Sequence, residues 1–200
     1  MNIRSTRKEI SYDRILDVAS KAIRRDGYAG VAVADVMKAA GLTHGGFYAH
    51  FPSREAMLAK ALERAGETSA EVLNRNIAAA RTRDESPFCA LVELYLSERH
   101  LVSSETGCPV SALASEMSRQ ASELRDASCR SVVRLLNTVK DALPAGVAPE
   151  SAMAIASTMV GALQLARTLG NNAHGKALLA ASRKALIEQY DTDCNSVAKT

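Results

Sequence analysis

The stretch Ala39-Ala40-Gly41-Leu42-Thr43-His44-Gly45-Gly46-Phe47-Tyr48-Ala49-His50-Phe51-Pro52-Ser53-Arg54-Glu55 decides the fold of this chain. Val33, Val36, Met37 and Ala40 recur at helical spacing, and Gly41 then stops the run, which predicts a short helix. Thr43 opens another helix and is placed to cap it by accepting a bond from the backbone N–H of Gly45 or Gly46. Phe47 and Phe51, four apart, can face a core, while His44 and Tyr48, also four apart, share an outward face. Pro52 and Ser53 end this helix, and Ser53 caps the next. Two short helices meeting at a glycine turn make a helix-turn-helix.

Gly45 and Gly46 are the local anomaly. Each glycine inside a helix costs roughly 1 kcal/mol relative to alanine, and this helix is only about two turns long. Two missing side chains leave a flat patch through which backbone can approach base edges in a major groove. A plain loop is the competing reading of the same residues.

Charge follows the same division. Residues 1–54 hold nine Lys or Arg against five Asp or Glu, whereas the remaining residues hold 16 against 17, within a chain of net charge +3. A positive head on a near-neutral body suits a phosphate-bearing partner, although a solvated face reads the same way.

Upstream, Ile15, Ala19, Ala22 and Ile23 form one helical stripe that Gly27 terminates. Downstream, a long helix carries Met57, Leu58, Ala61, Leu62, Ala65, Val72, Leu73 and Ile77, until charged residues 81–85 interrupt it. Ser86 and Pro87 suit an N-cap and first helical position before Phe88, Leu91, Val92, Tyr95 and Leu96. A short helix around Val110, Leu113, Ala114 and Met117 precedes a longer one through Leu124, Val132, Leu135, Leu136, Val139 and Leu143. The last two helices, about 150–169 and 175–190, are rich in alanine. The first is apolar on more than one face and reads either as an interior helix or as a subunit interface, where Ala152, Ala156, Gly161 and Ala162 would allow close approach. Segment 152–165 is read as too short and too interrupted to cross a bilayer, so no membrane partner is expected.

Four cysteines, Cys89, Cys108, Cys129 and Cys194, show no C-x-x-C spacing, and His44, His50, His100 and His174 have no carboxylate or thiol at ligand spacing; no metal or cofactor is expected. The charged start, Met1–Ser11, lacks the apolar run of a secretory signal, and a cytoplasmic location is the expectation. No nucleophile elbow, phosphate loop or zinc motif points to an enzyme. A helical binding protein that does not touch DNA remains the rival class.

Residues Ala39 to Glu55 resemble the recognition segment of the tetracycline-repressor (TetR) family, whose pattern is A-A-G-[VL]-[ST]-x-G-x-[LFI]-Y-x-[HY]-F-x-[SN]-[KR]-E, and the likeness extends over residues 10–60. The resemblance implies an all-α protein of about nine helices: a three-helix helix-turn-helix head at 1–54 and a ligand-binding and dimerisation body at 55–200. It implies a homodimeric repressor that grips palindromic double-stranded operator DNA and releases it when a small-molecule inducer shifts the fourth helix. Thr43, His44, Gly45 and Gly46 would lie against bases, and Lys38, Tyr48, His50 and Arg54 would bond or steer toward phosphates. One departure stands out: relatives often have Ser or Thr where this chain has Val31 and Ala32, so the second helix is expected to lack its cap, at a cost of roughly 1 kcal/mol.

Cys108, in Gly107-Cys108-Pro109 at a helix start, reads either as a reactive thiol or as a small apolar filler. In the first case, likeness to TetR-type electrophile sensors implies a lysine partner, for which Lys176 is the candidate.

Overall fold

A computed structural model describes residues 6–191. Among them run nine α-helices and one 3₁₀ helix: α1 (Arg7–Asp26), α2 (Val33–Ala39), the 3₁₀ helix (His44–Ala49), α3 (Arg54–Thr82), α4 (Pro87–Tyr95), α5 (Glu98–Val102), α6 (Pro109–Met117), α7 (Ser122–Asp141), α8 (Ser151–Leu169) and α9 (Ala173–Tyr190).

The termini follow local chemistry. Thr6 and Glu9 cap α1 reciprocally, and Gly27 closes it at φ 72°. The Ser53 hydroxyl accepts from the Ala56 N–H at 3.0 Å, and Ser86 caps α4 ahead of Pro87. As the sequence implied, the N-cap of α2, Ala32, provides no side-chain cap. The short helix α5 was not foreseen; Ser97 caps it, its hydroxyl accepting from the His100 N–H at 3.1 Å.

The chain divides into two compact units, Met1–Glu67 with Glu105–Ser131, and Thr68–Ser104 with Val132–Thr200; the cuts fall inside α3 and α7. In the first unit α1 packs on α2 and on α6, and α2 on the 3₁₀ helix. Ile15, Ala19, Ile23, Val36, Met37, Phe47 and Phe51 are buried there, together with Met57, Leu58 and Leu62 of α3. The unit that contains the head thus also takes in residues 105–131, beyond the stretch the sequence assigns to it.

In the second unit α8 packs along α9, α4 on α9, and α5 on α8. Phe88, Leu91, Val92, Tyr95 and Leu96 are fully buried, as are Ile155, Met159 and Leu163 of α8. Ala152, Ala156 and Ala162, expected as candidates for a subunit interface, are buried within this unit, and of the four only Gly161 is half-exposed. The outer side of α8 instead shows Met153 (63% exposed), Leu165 (59%) and Leu169. At 19 residues and mean hydropathy 1.2, the whole of α8 is long and apolar enough to cross a bilayer by length and composition alone, a test that a core helix also passes. Packing on α9 gives its apolar side another destination.

Candidate nucleic-acid interface

The recognition segment is a 3₁₀ helix, where the sequence predicted an ordinary helical turn capped by Thr43. The Thr43 side chain makes no cap bond; its backbone carbonyl accepts from the Gly46 N–H at 3.0 Å. Six residues with two adjacent glycines have too little propensity for a full α-turn, and the tighter i→i+3 bonding takes over. At its far end the Phe47 carbonyl accepts from both the His50 and Phe51 N–H groups, at 2.9 and 3.0 Å.

Two aromatic anchors hold this helix. Phe47 and Phe51, each 2% exposed, stack with centroids 5.8 Å apart, and Tyr12 of α1 stacks on Phe51 at 5.0 Å. With these rings inward, the other side faces out: Thr43, His44 and Gly45 are exposed, Gly46 is half-buried, and Tyr48 is 71% exposed, its ring edge-on to Phe47. A Cβ on Gly45 would meet nothing within 4 Å, so no internal contact requires glycine there. Lys38 is exposed on the last turn of α2. His50 is half-buried beside Tyr12, and its buried Nδ1 has no hydrogen-bond partner in the protein.

Arg54 departs from its expected place. Its Nε donates to the Val31 carbonyl at 2.9 Å and its Nη2 to the Tyr28 carbonyl, while Nη1 lies 3.6 Å from Glu55. The side chain ties the loop after α1 to the start of α3, with its Nε and Nη2 bonded inside the protein. Carbonyls at the end of a loop need donors, and a planar fork of N–H groups at the head of α3 supplies two.

The other candidates lie away from this surface. Cys108, 3% exposed, is the N-cap of α6 in the first unit. Arg24, which the sequence did not single out, is buried beside it: its Nε donates to the Ser20 carbonyl at 2.9 Å and its Nη1 to the Gly107 carbonyl at 3.1 Å. Burial pushes the Arg24 guanidinium down to about 10, with Cys108 and Glu105 acting in the opposite sense. The one available signal was its spacing, since Arg24 follows Ser20 by four residues on the margin of the buried stripe. Lys176, in the second unit, is ion-paired with Glu98 at 2.8 Å. Cys194 lies outside the described residues.

The family model described as "Bacterial regulatory proteins, tetR family" matches residues 15–61. The chain belongs to the TetR family. A second model, "Transcriptional regulator LmrA/YxaF-like, C-terminal domain", matches residues 89–183 of this TetR-family chain. It is similar to an HTH-type transcriptional regulator of Mycobacterium tuberculosis strain H37Rv, 27% identical over 166 residues that cover 78% of this chain and 83% of the relative. Among solved structures, E. coli NemR in its reduced form superposes with a TM-score of 0.73 at 19% identity, covering 89% of this chain and 96% of that one. FadR from Bacillus subtilis, solved in complex with stearoyl-CoA, gives 0.65 at 18% identity, covering 88% and 97%. At those identities the two structures show the shared fold alone. The TetR-family chain is a DNA-binding helix-turn-helix transcriptional regulator and not an enzyme.

Proposed function

We propose that this TetR-family protein is a cytoplasmic repressor that binds palindromic operator DNA as a homodimer and releases it when a small molecule enters the body. The observation that carries this reading is the outward set Thr43, His44, Gly45 and Tyr48 on a segment whose Phe47 and Phe51 are buried. Residues 1–54 read the DNA: His44 reads a base edge, Gly45 and Gly46 let the backbone close on the groove, and Lys38, Tyr48 and His50 hold phosphates. Residues 55–200 pair the subunits and take the inducer. Support for pairing comes from the outer side of α8, where Met153, Leu165 and Leu169 are exposed with Gly161 among them. Support for an inducer comes from FadR, since that protein of the same fold was solved with stearoyl-CoA.

The test is binding to duplex DNA from upstream of the protein's own gene while salt is raised. A dimer gripping phosphates loses affinity steeply, on the order of 10³-fold or more between about 50 and 200 mM salt for six or more contacts. A flat response would reject DNA binding, and sedimentation of the free protein as a 21.3 kDa monomer at working concentration would reject the dimer.

One observation favours a second reading, in which Cys108 is an electrophile sensor: a buried guanidinium, that of Arg24, lies next to it, its Nη1 bonded to the Gly107 carbonyl at 3.1 Å. Arg24 replaces Lys176 as the cation in this reading, because Lys176 is paired with Glu98. N-ethylmaleimide should then release DNA from the wild type and not from Cys108→Ser; equal release from both would end it.

A further inference from the structure

Arg54 is occupied by the carbonyls of Tyr28 and Val31, which leaves open where the guanidinium for DNA at the recognition segment comes from. Helix α1 touches that segment at both ends. Beyond its far end, Tyr12 stacks on Phe51. Before its near end, the Arg14 side chain lies over the turn at Gly41, so close that a Cβ on Gly41 would sit 2.9 Å from Nη2. Gly41 has φ +69°, a backbone conformation that favours glycine, and the guanidinium of Arg14 lies against it.

Charge accounting within this unit sets Arg14 apart. Its neighbours on α1, Asp13 and Asp17, are both bonded to Arg64, at 2.6 and 2.8 Å. Asp26 and Glu105 are held by Arg25, and Glu9 by the Thr6 cap. Arg14 is exposed, and among the described residues no carboxylate or carbonyl bonds its guanidinium. Arg7, Lys8 and Lys21 are exposed cations on the same helix, but Arg14 is the one laid against the turn that leads into Thr43 and His44. Lys38 is exposed three residues before Gly41 and bonded to it through its backbone, its carbonyl accepting from the Gly41 N–H at 3.0 Å.

We infer that Arg14 is a DNA-contact residue of this protein: its guanidinium, held over the Gly41 turn, grips a backbone phosphate flanking the bases read by the recognition helix. This rests on the DNA-binding reading above. Five N–H groups in a planar fork suit two phosphate oxygens, and a phosphate contact adds affinity without sequence preference. The arginine that the family pattern offers, Arg54, is built into the head, and one from α1, outside that pattern, takes the contact.

The experiment compares Arg14→Gln and Arg14→Lys with wild type on two duplexes of about 30 base pairs, one from upstream of the gene and one unrelated, as salt is raised. Arg14→Gln is expected to bind both duplexes about 5- to 10-fold more weakly and to lower the slope of log K against log salt by about 0.9 per head, while Arg14→Lys keeps the wild-type slope. Equal slopes for the two variants would overturn the inference, as would a loss confined to one duplex. Circular dichroism melting of both variants checks the head; if Arg14→Gln alone unfolds, the slope of Arg14→Ala against Arg14→Lys decides by the same criterion. If wild type itself shows no salt-dependent binding, the DNA reading has failed and the Arg14 contact falls with it; wild-type binding with equal slopes for the variants rejects the Arg14 contact alone.

Discussion

Gly45 in the recognition helix and Gly175 in the first turn of α9 are the same residue type, and the two regions around them explain it from opposite sides. A Cβ on Gly175 would sit 2.2 Å from the Gly170 carbonyl oxygen and 2.9 Å from that of Ala166. The Asn172 side chain, which caps α9 by accepting from the His174 and Gly175 N–H groups, holds that turn against the end of α8. A Cβ on Gly45 would meet nothing. The α8–α9 junction is determined by contacts inside the protein, whereas no internal contact requires the glycine at Gly45. On the proposed DNA-binding reading, the reason for Gly45 lies with the duplex.

The largest expected effect separates these two regions directly. Gly175→Ala pushes a methyl group into backbone and should lower stability by about 3 kcal/mol, read as a shifted urea midpoint with unchanged slope. An unchanged midpoint would mean that the α8–α9 turn yields easily, and the contrast with Gly45 would vanish.

Gly45→Ala should do the reverse. Its stability should hold or rise by up to about 1 kcal/mol, since alanine restricts the unfolded chain and fills only open space. DNA affinity should fall about 10-fold, close to 1.4 kcal/mol, because the added methyl holds the helix off the groove. Full retention of affinity in a titration at fixed salt would show that the glycine is incidental.

The smallest effect concerns pH and lies wholly in the second unit. Burial pushes His100 from its ordinary 6.5 down to about 4, opposed by its bond to the Tyr95 carbonyl, with the Arg167 charge adding to the fall. The folded protein therefore keeps this ring neutral where the unfolded chain would protonate it. Stability attached to His100 is complete above pH 6.5 and is lost as pH falls from there toward 4. The drop in melting temperature between about pH 7 and about pH 5 should accordingly be smaller in His100→Gln than in wild type. Parallel drops would assign the acid sensitivity to other groups.

Much of the architecture is legible in the sequence. Thr6 was not singled out, but Gly27, Gly41, Ser53, Ser86 and Pro87 marked helix ends that the structure has. The missing cap at Ala32 was equally readable. Helix α5 was not, because five residues between Ser97 and Ser103 are too few to show a period. At the recognition surface, the inward pair Phe47 and Phe51 and the outward pair His44 and Tyr48 came from spacing, and both assignments hold on a 3₁₀ helix that spacing did not foresee. The inward bonds of Arg54 were not legible, for a different reason. Its motif position says only that a cation stands at the start of α3, and a long side chain can turn inward as readily as outward.

What the sequence determined by itself is what neighbouring residues decide among themselves: helix limits, caps, the glycine turn and the identity of the recognition helix. These rest on hydrogen bonds and side-chain periods spanning a few residues. Only the tertiary structure decided which charges are free. Arg54 finds carbonyls 23 and 26 residues away, Arg24 finds one 83 away, and Arg64 draws in Asp13 and Asp17 across 51 and 47 residues. A long cation takes whichever acceptor the packed elements bring within reach, and that is a property of the assembled unit.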